Sequence, residues 1–272
     1  MDYYPEGPLR SVLHSDEMMK TWQWCFNICA KIAAGLREIH TGGMIHRDLH
    51  SGNLLHKRGS TVFRDNDEIT DIADFGMSVA ADSVARERDG KYGVIPYMAP
   101  ELFRGQPHTQ SSDVYAFGII MWEVSSQQSP FSGHNHDVLL MLEICNGLRP
   151  TLVEHTPKCW SDLMQRCWHP NPSNRPTAKE VYRIAVDWYY ILKGTRDDHD
   201  GIKQQFAEAD AYRKQQGPRP RRQEQQHSGA CYSSRFIPHI TDKLISAYTI
   251  QSQHNSLDID QEDWAAEVSV NF

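Results

Sequence analysis

Residues 46–53, His-Arg-Asp-Leu-His-Ser-Gly-Asn, constrain this chain more than any other feature of its sequence. They place Asp48 shortly before Asn53, and a second aspartate follows at Asp74 in the tetrapeptide Ala-Asp-Phe-Gly. A carboxylate beside a hydroxyl can accept its proton, and an amide oxygen together with a second carboxylate can hold Mg²⁺ against a polyphosphate. Each motif alone is short enough to recur by chance. The two motifs in this order are a specific signal for that chemistry.

Three further motifs follow in register. Residues 93–101 end in Ala-Pro-Glu, residues 113–118 read Asp-Val-Tyr-Ala-Phe-Gly, and residues 171–177 read Asn-Pro-Ser-Asn-Arg-Pro-Thr. Together with H-R-D-L-x-x-x-N and D-F-G, they resemble the C-terminal lobe of protein kinases over residues 1–192. The resemblance implies that Glu101 and Arg175 form a structural ion pair.

Apolar periodicity predicts most of the helices of such a lobe. A wide apolar stripe over residues 16–40 predicts a largely buried helix, and residues 112–124 are apolar on nearly every side, which is typical of a core helix. Further helices are predicted near 137–145, 160–167 and from Thr177, where a capping-box pattern begins. Leu54 and Leu55 should form a β-hairpin with residues 69–73, with a long charged connection over 56–68. We therefore expect a mainly α, protein-kinase-like C-lobe, a helical bundle with a small β-hairpin, over residues 1–193.

The resemblance assigns a role to each residue of the two central motifs. It implies that Asp48 accepts or orients the proton of a substrate hydroxyl, while Asn53 and Asp74 hold the Mg²⁺ that bridges the phosphates of ATP. Arg47 would clamp a phosphorylated residue of the activation segment, unless an acidic residue of that segment already neutralises it. His50 would face the transferring phosphate. The cofactors implied are thus ATP and Mg²⁺.

An adenine site is implied by the first residues and the hairpin. By position, the backbone groups of Asp2 and Tyr4 would lie in the hinge that hydrogen-bonds the adenine edge, and Leu55 would form the apolar floor beneath it. The alternative for the first residues is an N-terminal arm with an ordinary turn. For Leu55, a simply buried strand is compatible with the same role.

The activation segment would run over residues 74–101, and its polar middle fits a loop able to order or disorder. Its candidate phosphoacceptors are Ser78, Ser83 and Tyr92, which implies an upstream activating kinase as a partner besides the protein substrate. The motif residues 49–53 most resemble the tyrosine-kinase-like group, whose members mostly phosphorylate serine or threonine. His50 replaces the lysine usual in Ser/Thr-directed kinases, and a largely neutral imidazole is a weaker phosphate ligand. Serine or threonine is nevertheless favoured over tyrosine as the acceptor.

The sequence contains no G-x-G-x-x-G before the hinge and no V-A-I-K lysine, so the N-terminal lobe of the family is expected to be missing. Phosphoryl transfer depends on positioning and charge stabilisation, and losing these groups should cost at least about 10³-fold in rate. We expect such a truncated form to be weak or inactive alone. The alternative function is a non-catalytic pseudokinase or docking module, against which the intact Asp48, Asn53 and Asp74 argue.

Charge and composition bound the partners and the compartment. A formal net charge of -7 gives no reason to expect nucleic acid as a partner. The six cysteines are scattered, which suggests reduced thiols in a cytosolic or nuclear setting. No signal peptide and no membrane-spanning apolar run is visible, so a cytoplasmic location without membrane attachment is expected. The sequence leaves the oligomeric state open.

The composition changes after the predicted lobe. Residues 195–230 are rich in Gln, Arg, Asp and Glu, and the mean hydropathy of the chain is -0.60. Such a composition buries too little apolar surface to offset the entropy lost on ordering. We therefore expect residues 194–272 to be a disordered polar tail, with a candidate helical start near 198–215.

Overall fold

The computed structural model describes residues 5–15, 20–57, 69–81, 91–216 and 226–254. Several predictions fall elsewhere. The hinge residues Asp2 and Tyr4, most of the predicted 56–68 connection, the candidate acceptor Ser83 and residues 255–272 lie outside the described residues.

The described chain is mainly helical, which confirms the predicted fold class. The helices are α1 (Leu9–Leu13), α2 (Trp22–Thr41), α3 (Pro100–Phe103), α4 (Gln110–Ser126), α5 (Val138–Cys145), α6 (Lys158–Cys167), α7 (Ala178–Lys193), α8 (Ile202–Gln216) and α9 (Asp242–His254). The strands are β1 (Met44–Ile45), β2 (Leu54–Lys57), β3 (Ile69–Ile72), β4 (Val79–Ala80), β5 (Lys91–Gly93) and β6 (Arg235–Ile237).

Helix α4 lies at the centre of the core and is buried from Ser112 to its last residue. Thr109 caps its N-terminus in a capping box with Ser112, in which each hydroxyl accepts a hydrogen bond from the backbone N–H of the other residue. The helix packs against α2 and α6. Gly118 permits the close approach to α6, because a Cβ there would lie 2.9 Å from the Cβ of Cys167. A helix without a polar face therefore fits this position.

Within the residues that the structure describes, the strands form three antiparallel two-stranded sheets. The predicted hairpin is present as β2 and β3, with Leu54 opposite Ile72. Strands β1 and β4 flank the two central motifs. Strand β5 pairs with β6, which comes from the distant C-terminal part of the chain.

The predicted capping box and the predicted structural ion pair are both present near the start of α7. Thr177 and Glu180 form the capping box, with the Glu180 carboxylate accepting from the backbone N–H of Thr177 at 2.8 Å. The Arg175 guanidinium binds both carboxylate oxygens of Glu101, at 2.6 and 2.8 Å, and its side chain is fully buried. This bidentate pair confirms the predicted structural ion pair and ties the Ala-Pro-Glu segment to the loop before α7.

The prediction of a disordered tail over residues 194–272 is wrong for its described parts. Helix α8 buries Ile202, Phe206 and Ala209, and the ring of Phe206 lies edge-on to Trp22. The Asp210 carboxylate accepts a hydrogen bond from the backbone N–H of Trp22 at 2.7 Å. Three apolar residues at helical spacing suffice to dock the helix, although the surrounding composition is polar. The suggested helical start near 198–215 is confirmed.

None of the helices described by the structure is long and apolar enough to cross a membrane.

Candidate active site

The N-terminal end of α4 organises the first half of the central loop. One carboxylate oxygen of Asp113 accepts the backbone N–H of His46 at 2.8 Å, and the other accepts that of Arg47 at 3.0 Å. His40 also contacts this carboxylate, at 2.9 Å. Arg47 has a left-handed backbone with φ of 75°, which is unfavourable for a residue with a Cβ. The Asp113 hydrogen bonds stabilise that conformation and so place Asp48.

The central loop then closes on itself. The side-chain nitrogen of Asn53 donates to the backbone carbonyl of Asp48 at 2.9 Å and to its Oδ2 at 3.2 Å. The Asp48 side chain is only 7% exposed. The structure therefore brings the predicted base and the predicted amide ligand into direct contact, with Asn53 as the last residue of a short 3-10 turn over Ser51–Asn53.

The second motif is fastened to this loop by its first residue. The backbone N–H of Ala73 donates to the carbonyl of Asn53 at 2.8 Å, and its carbonyl accepts from Nε2 of His46 at 3.0 Å. Asp74 follows with a left-handed backbone, φ of 61°, and an exposed carboxylate. Phe75 packs edge-on against the His46 ring but remains half-exposed, at 52%. Asp74 and Asn53 thus belong to two loops joined by a backbone hydrogen bond.

These two residues fit a magnesium site. Both described side-chain hydrogen bonds of Asn53 use its amide nitrogen, which leaves the Oδ1 oxygen for a metal. Asp74 accepts only from the backbone N–H of Gly76, at 3.3 Å, among the hydrogen bonds described for it. Among the described residues, no group of three or more His, Cys, Asp or Glu side chains could hold a metal. A site with two protein oxygens suits Mg²⁺, which keeps waters and phosphate oxygens as its other ligands.

A serine from the C-terminal part of the chain reaches the same centre. The Ser234 hydroxyl donates to Oδ2 of Asp48 at 2.6 Å, and Nε2 of His50 lies 3.2 Å from the Ser234 oxygen. Burial raises the pKa of the Asp48 carboxyl, but hydrogen bonds from His50, Ser234 and Asn53 outweigh that effect and hold the pKa below its ordinary value. Asp48 is therefore an ionised hydrogen-bond acceptor near neutral pH. Sequence reasoning missed Ser234 because it lies in the segment predicted to be disordered.

A buried carboxylate and its hydrogen-bond partners support the central loop. Glu123 of α4 accepts from the hydroxyl of Ser51 at 2.8 Å and from that of Tyr97 at 2.7 Å. Arg10 of α1 donates to the Ser51 oxygen at 3.2 Å. Burial raises the pKa of Glu123 to about 7 and raises that of Tyr97 well above its usual range. Sequence reasoning also missed Glu123, whose only signal was a carboxylate in an otherwise apolar helix.

The structure brings the predicted adenine floor next to the segment that follows the predicted hinge. Leu55 is half-buried, and Pro8 forms an isolated antiparallel bridge with it. The backbone N–H of His56 donates to the carbonyl of Gly7 at 2.9 Å. Of the candidate phosphoacceptors, Tyr92 lies in β5 and is 52% exposed.

Comparison with known proteins identifies the family. The sequence model described as "Protein tyrosine and serine/threonine kinase" matches residues 1–184 of this chain. The chain belongs to the protein kinase family. Over 183 residues, 67% of this chain, it is 35% identical to a probable serine/threonine-protein kinase of Dictyostelium discoideum. It is also 35% identical over 193 residues, 68% of this chain, to mitogen-activated protein kinase kinase kinase 7 of Homo sapiens.

A third relative is a probable LIM domain-containing serine/threonine-protein kinase of Dictyostelium discoideum, 34% identical over 175 residues and 64% of this chain. The matches cover 19%, 30% and 25% of these three kinases, respectively. The protein kinase described here therefore spans less than a third of the length of each of these curated relatives.

Proposed function

We propose that this chain carries the catalytic loops of a protein kinase that transfers the γ-phosphoryl group of ATP to a serine or threonine hydroxyl of a protein. The observation that carries the proposal is the contact between the buried Asp48 carboxylate and an aliphatic hydroxyl at 2.6 Å. A general base must lie within hydrogen-bond reach of the proton it takes, and this distance meets that requirement.

Each residue of the two loops has a task in this reaction. Asp48 orients the acceptor hydroxyl and takes its proton as the oxygen becomes a nucleophile. Oδ1 of Asn53 and the carboxylate of Asp74 would hold Mg²⁺. When bound, Mg²⁺ with ATP supplies the phosphoryl group and neutralises the charge that develops on it. His50 offers Nε2 to the acceptor oxygen, at the position where a lysine would otherwise contact phosphate.

The remaining assignments of the site follow the family. We propose that Leu55 forms the floor under adenine, that the backbone of Asp2 and Tyr4 contacts the adenine edge, and that Arg47 binds a phosphorylated residue of the activation segment. An upstream activating kinase would supply that phosphate. We also propose a cytoplasmic location. Serine or threonine is the favoured acceptor, because the hydroxyl at Asp48 is a serine's and the relatives named above are serine/threonine kinases or a kinase of a kinase cascade.

A radiolabelled-phosphate assay on the purified chain with Mg-ATP and a general acceptor protein such as casein tests the proposal. Because the chain contains neither a G-x-G-x-x-G loop nor a V-A-I-K lysine, we expect incorporation to be weak, at least about 10³-fold below that of a kinase domain that has both. Asp48→Asn should abolish what is measured. Asp162→Asn, the same change at an exposed aspartate of α6, should not. Incorporation that survives Asp48→Asn would refute the assignment of the base.

Thermal unfolding gives a second readout that does not depend on turnover. Mg-ATP should raise the midpoint temperature of thermal unfolding, because a ligand that binds only the folded state stabilises it. Asp74→Asn should remove most of that increase.

The second candidate function is a non-catalytic docking module. It is favoured by the contact of Ser234 with Asp48, because this serine already occupies the position proposed for the acceptor hydroxyl. Absence of both phosphate incorporation and nucleotide stabilisation would select it.

A further inference from the structure

The C-terminal segment that reaches the site is held by a β-ladder. Strand β6 pairs antiparallel with β5, with Gly93 opposite Arg235 and Lys91 opposite Ile237. Ile237 is buried, and the backbone N–H of Ile240 donates to the carbonyl of Phe103 at 2.9 Å. The part of the segment that follows Ser234 thus lies as an added strand along the end of the activation segment.

The part that precedes Ser234 is held by side chains. Arg10 donates to the carbonyl of Tyr232 at 2.7 Å, and its guanidinium also lies 5.2 Å from the centre of the Tyr232 ring. The Tyr232 hydroxyl donates to the carbonyl of Pro130 at 3.0 Å, and the backbone N–H of Cys231 donates to His136 at 3.0 Å. The residues before and after Ser234 are therefore both held by hydrogen bonds and packing. These contacts position the Ser234 hydroxyl at Asp48.

The hydrogen bonds around Ser234 fix the direction of its proton. A backbone N–H and a guanidinium can only donate, and those of Gly52 and Arg10 lie 3.1 and 3.4 Å from Nδ1 of His50. Nδ1 therefore accepts, so the ring proton is on Nε2, which lies 3.2 Å from the Ser234 oxygen and 3.6 Å from Oδ2 of Asp48. The Ser234 proton is then directed at Asp48. This is the arrangement that an acceptor hydroxyl needs before it loses its proton to a base.

We propose that Ser234 is a phosphorylation site of this chain, occupying the acceptor position of its own catalytic centre and modified in cis. The inference rests on the proposed function. In the step, the Ser234 oxygen forms a bond to the γ-phosphorus of Mg-ATP, the bond from that phosphorus to the β,γ-bridging oxygen breaks, and ADP leaves with the electron pair. The Ser234 proton passes to the Asp48 carboxylate and then to solvent. Ser234 is an exposed residue whose hydroxyl contacts Asp48 and His50.

Phosphate mapping by mass spectrometry tests the modification. The purified chain is incubated with Mg-ATP and casein, over a hundredfold range of chain concentration. We expect phosphate on Ser234 with a first-order rate constant that does not change with concentration, because the acceptor is already bound within its own chain. Ser234→Ala should remove this phosphate, and Ser233→Ala, which deletes the neighbouring exposed hydroxyl, should leave the rate within about twofold.

The outcomes separate the two proposals. Casein phosphorylated without phosphate on Ser234 overturns this inference and leaves the proposed function intact. A rate constant proportional to chain concentration overturns modification in cis. Absence of phosphate on both casein and Ser234 overturns both the proposed function of this chain and the modification of Ser234. A binding measurement then shows whether the segment that carries Ser234 occupies the acceptor position.

A labelled peptide copying residues 230–240 measures that occupancy without turnover. The wild-type chain should bind it at least about tenfold more weakly than the Ile237→Asp variant does. That substitution removes the buried anchor of β6 and so frees the groove, by which we mean the surface along β5 and Asp48 that this segment covers. Ser234→Glu should free the groove independently, because it places a second carboxylate against Asp48. Circular dichroism verifies that both variants keep their helices. Equal peptide affinity of the wild-type chain and both folded variants would show that the segment does not occupy the groove.

Discussion

Glu123→Gln should change how the stability of this protein kinase depends on pH. The Glu123 carboxylate lies fully buried in α4, and the groups that face it are Arg10 of α1, Ser51 of the central loop and Tyr97. Burial raises its pKa from 4.5 to about 7, despite the opposing effects of Arg10 and the two hydroxyl donors. Glutamine keeps the shape of the side chain and one acceptor oxygen but cannot ionise, and its NH₂ group would donate to one of the two hydroxyl oxygens.

The size and sign of the effect follow from proton linkage. Between pH 4.5 and 7 the folded protein retains the Glu123 proton that the unfolded chain has released. The contribution of Glu123 to the free energy of unfolding is therefore complete below pH 4.5, falls as the pH rises and is lost above pH 7. A pKa of about 7 against 4.5 corresponds to roughly 3 kcal/mol in the free energy of unfolding. The glutamine variant should lack this decline, so its stability relative to wild type should rise by roughly 3 kcal/mol between pH 4.5 and 8.5.

Urea unfolding followed by tryptophan fluorescence at several pH values measures the difference. Other groups titrate in both proteins, so only the change in the difference between variant and wild type is compared. Glu208→Gln, at an exposed position of α8, controls for the loss of one negative charge. A difference that stays constant from pH 4.5 to 8.5 would refute the argument that burial keeps Glu123 protonated in the folded state.

Three further predictions concern stability, each measured by urea unfolding at pH 7. Arg175→Met should destabilise the chain by about 3–5 kcal/mol, since it leaves Glu101 without its partner, and the added change Glu101→Gln should recover part of the loss. Thr177→Ala should cost about 1 kcal/mol, because it removes the side chain that caps α7. Phe206→Ala should cost about 3–5 kcal/mol by opening a cavity under α8, whereas no loss would be measured if the segment after α7 were disordered.

The features that sequence predicted correctly are encoded in contiguous or periodic residues. Helix α4 could be recognised because its apolar side chains continue on every face, and the α7 capping box lies within four consecutive residues. The ion pair of Glu101 with Arg175 joins residues that are far apart in the sequence, and it was predicted from the family resemblance. The contact of Asn53 with Asp48 is likewise local, because a single short turn separates the two residues.

The features that sequence missed depend on contacts between distant segments. Strand β6 has three residues, too few to show a period, and its partner β5 lies more than a hundred residues earlier. The tail composition is polar on average, yet its few apolar residues, such as Ile237, are those that dock. Local patterns report secondary structure, whereas the placement of Ser234 against Asp48 is decided by tertiary packing.

Helix α4 binds both halves of the central loop, while other elements hold the strand beside Ser234. Asp113 and Glu123 are roughly 15 Å apart along α4, and they bind the first and second halves of the loop, respectively. The strand that carries Ser234 is instead paired with β5. Ser234 itself contacts Asp48 and His50 of the loop, whereas the hydrogen bonds of Asp113 and Glu123 to the loop do not involve the strand. Releasing the strand should therefore leave the α4 contacts of the loop in place. Under the proposed function, such a division allows one acceptor segment to leave and another to enter without rebuilding the site around Asp48.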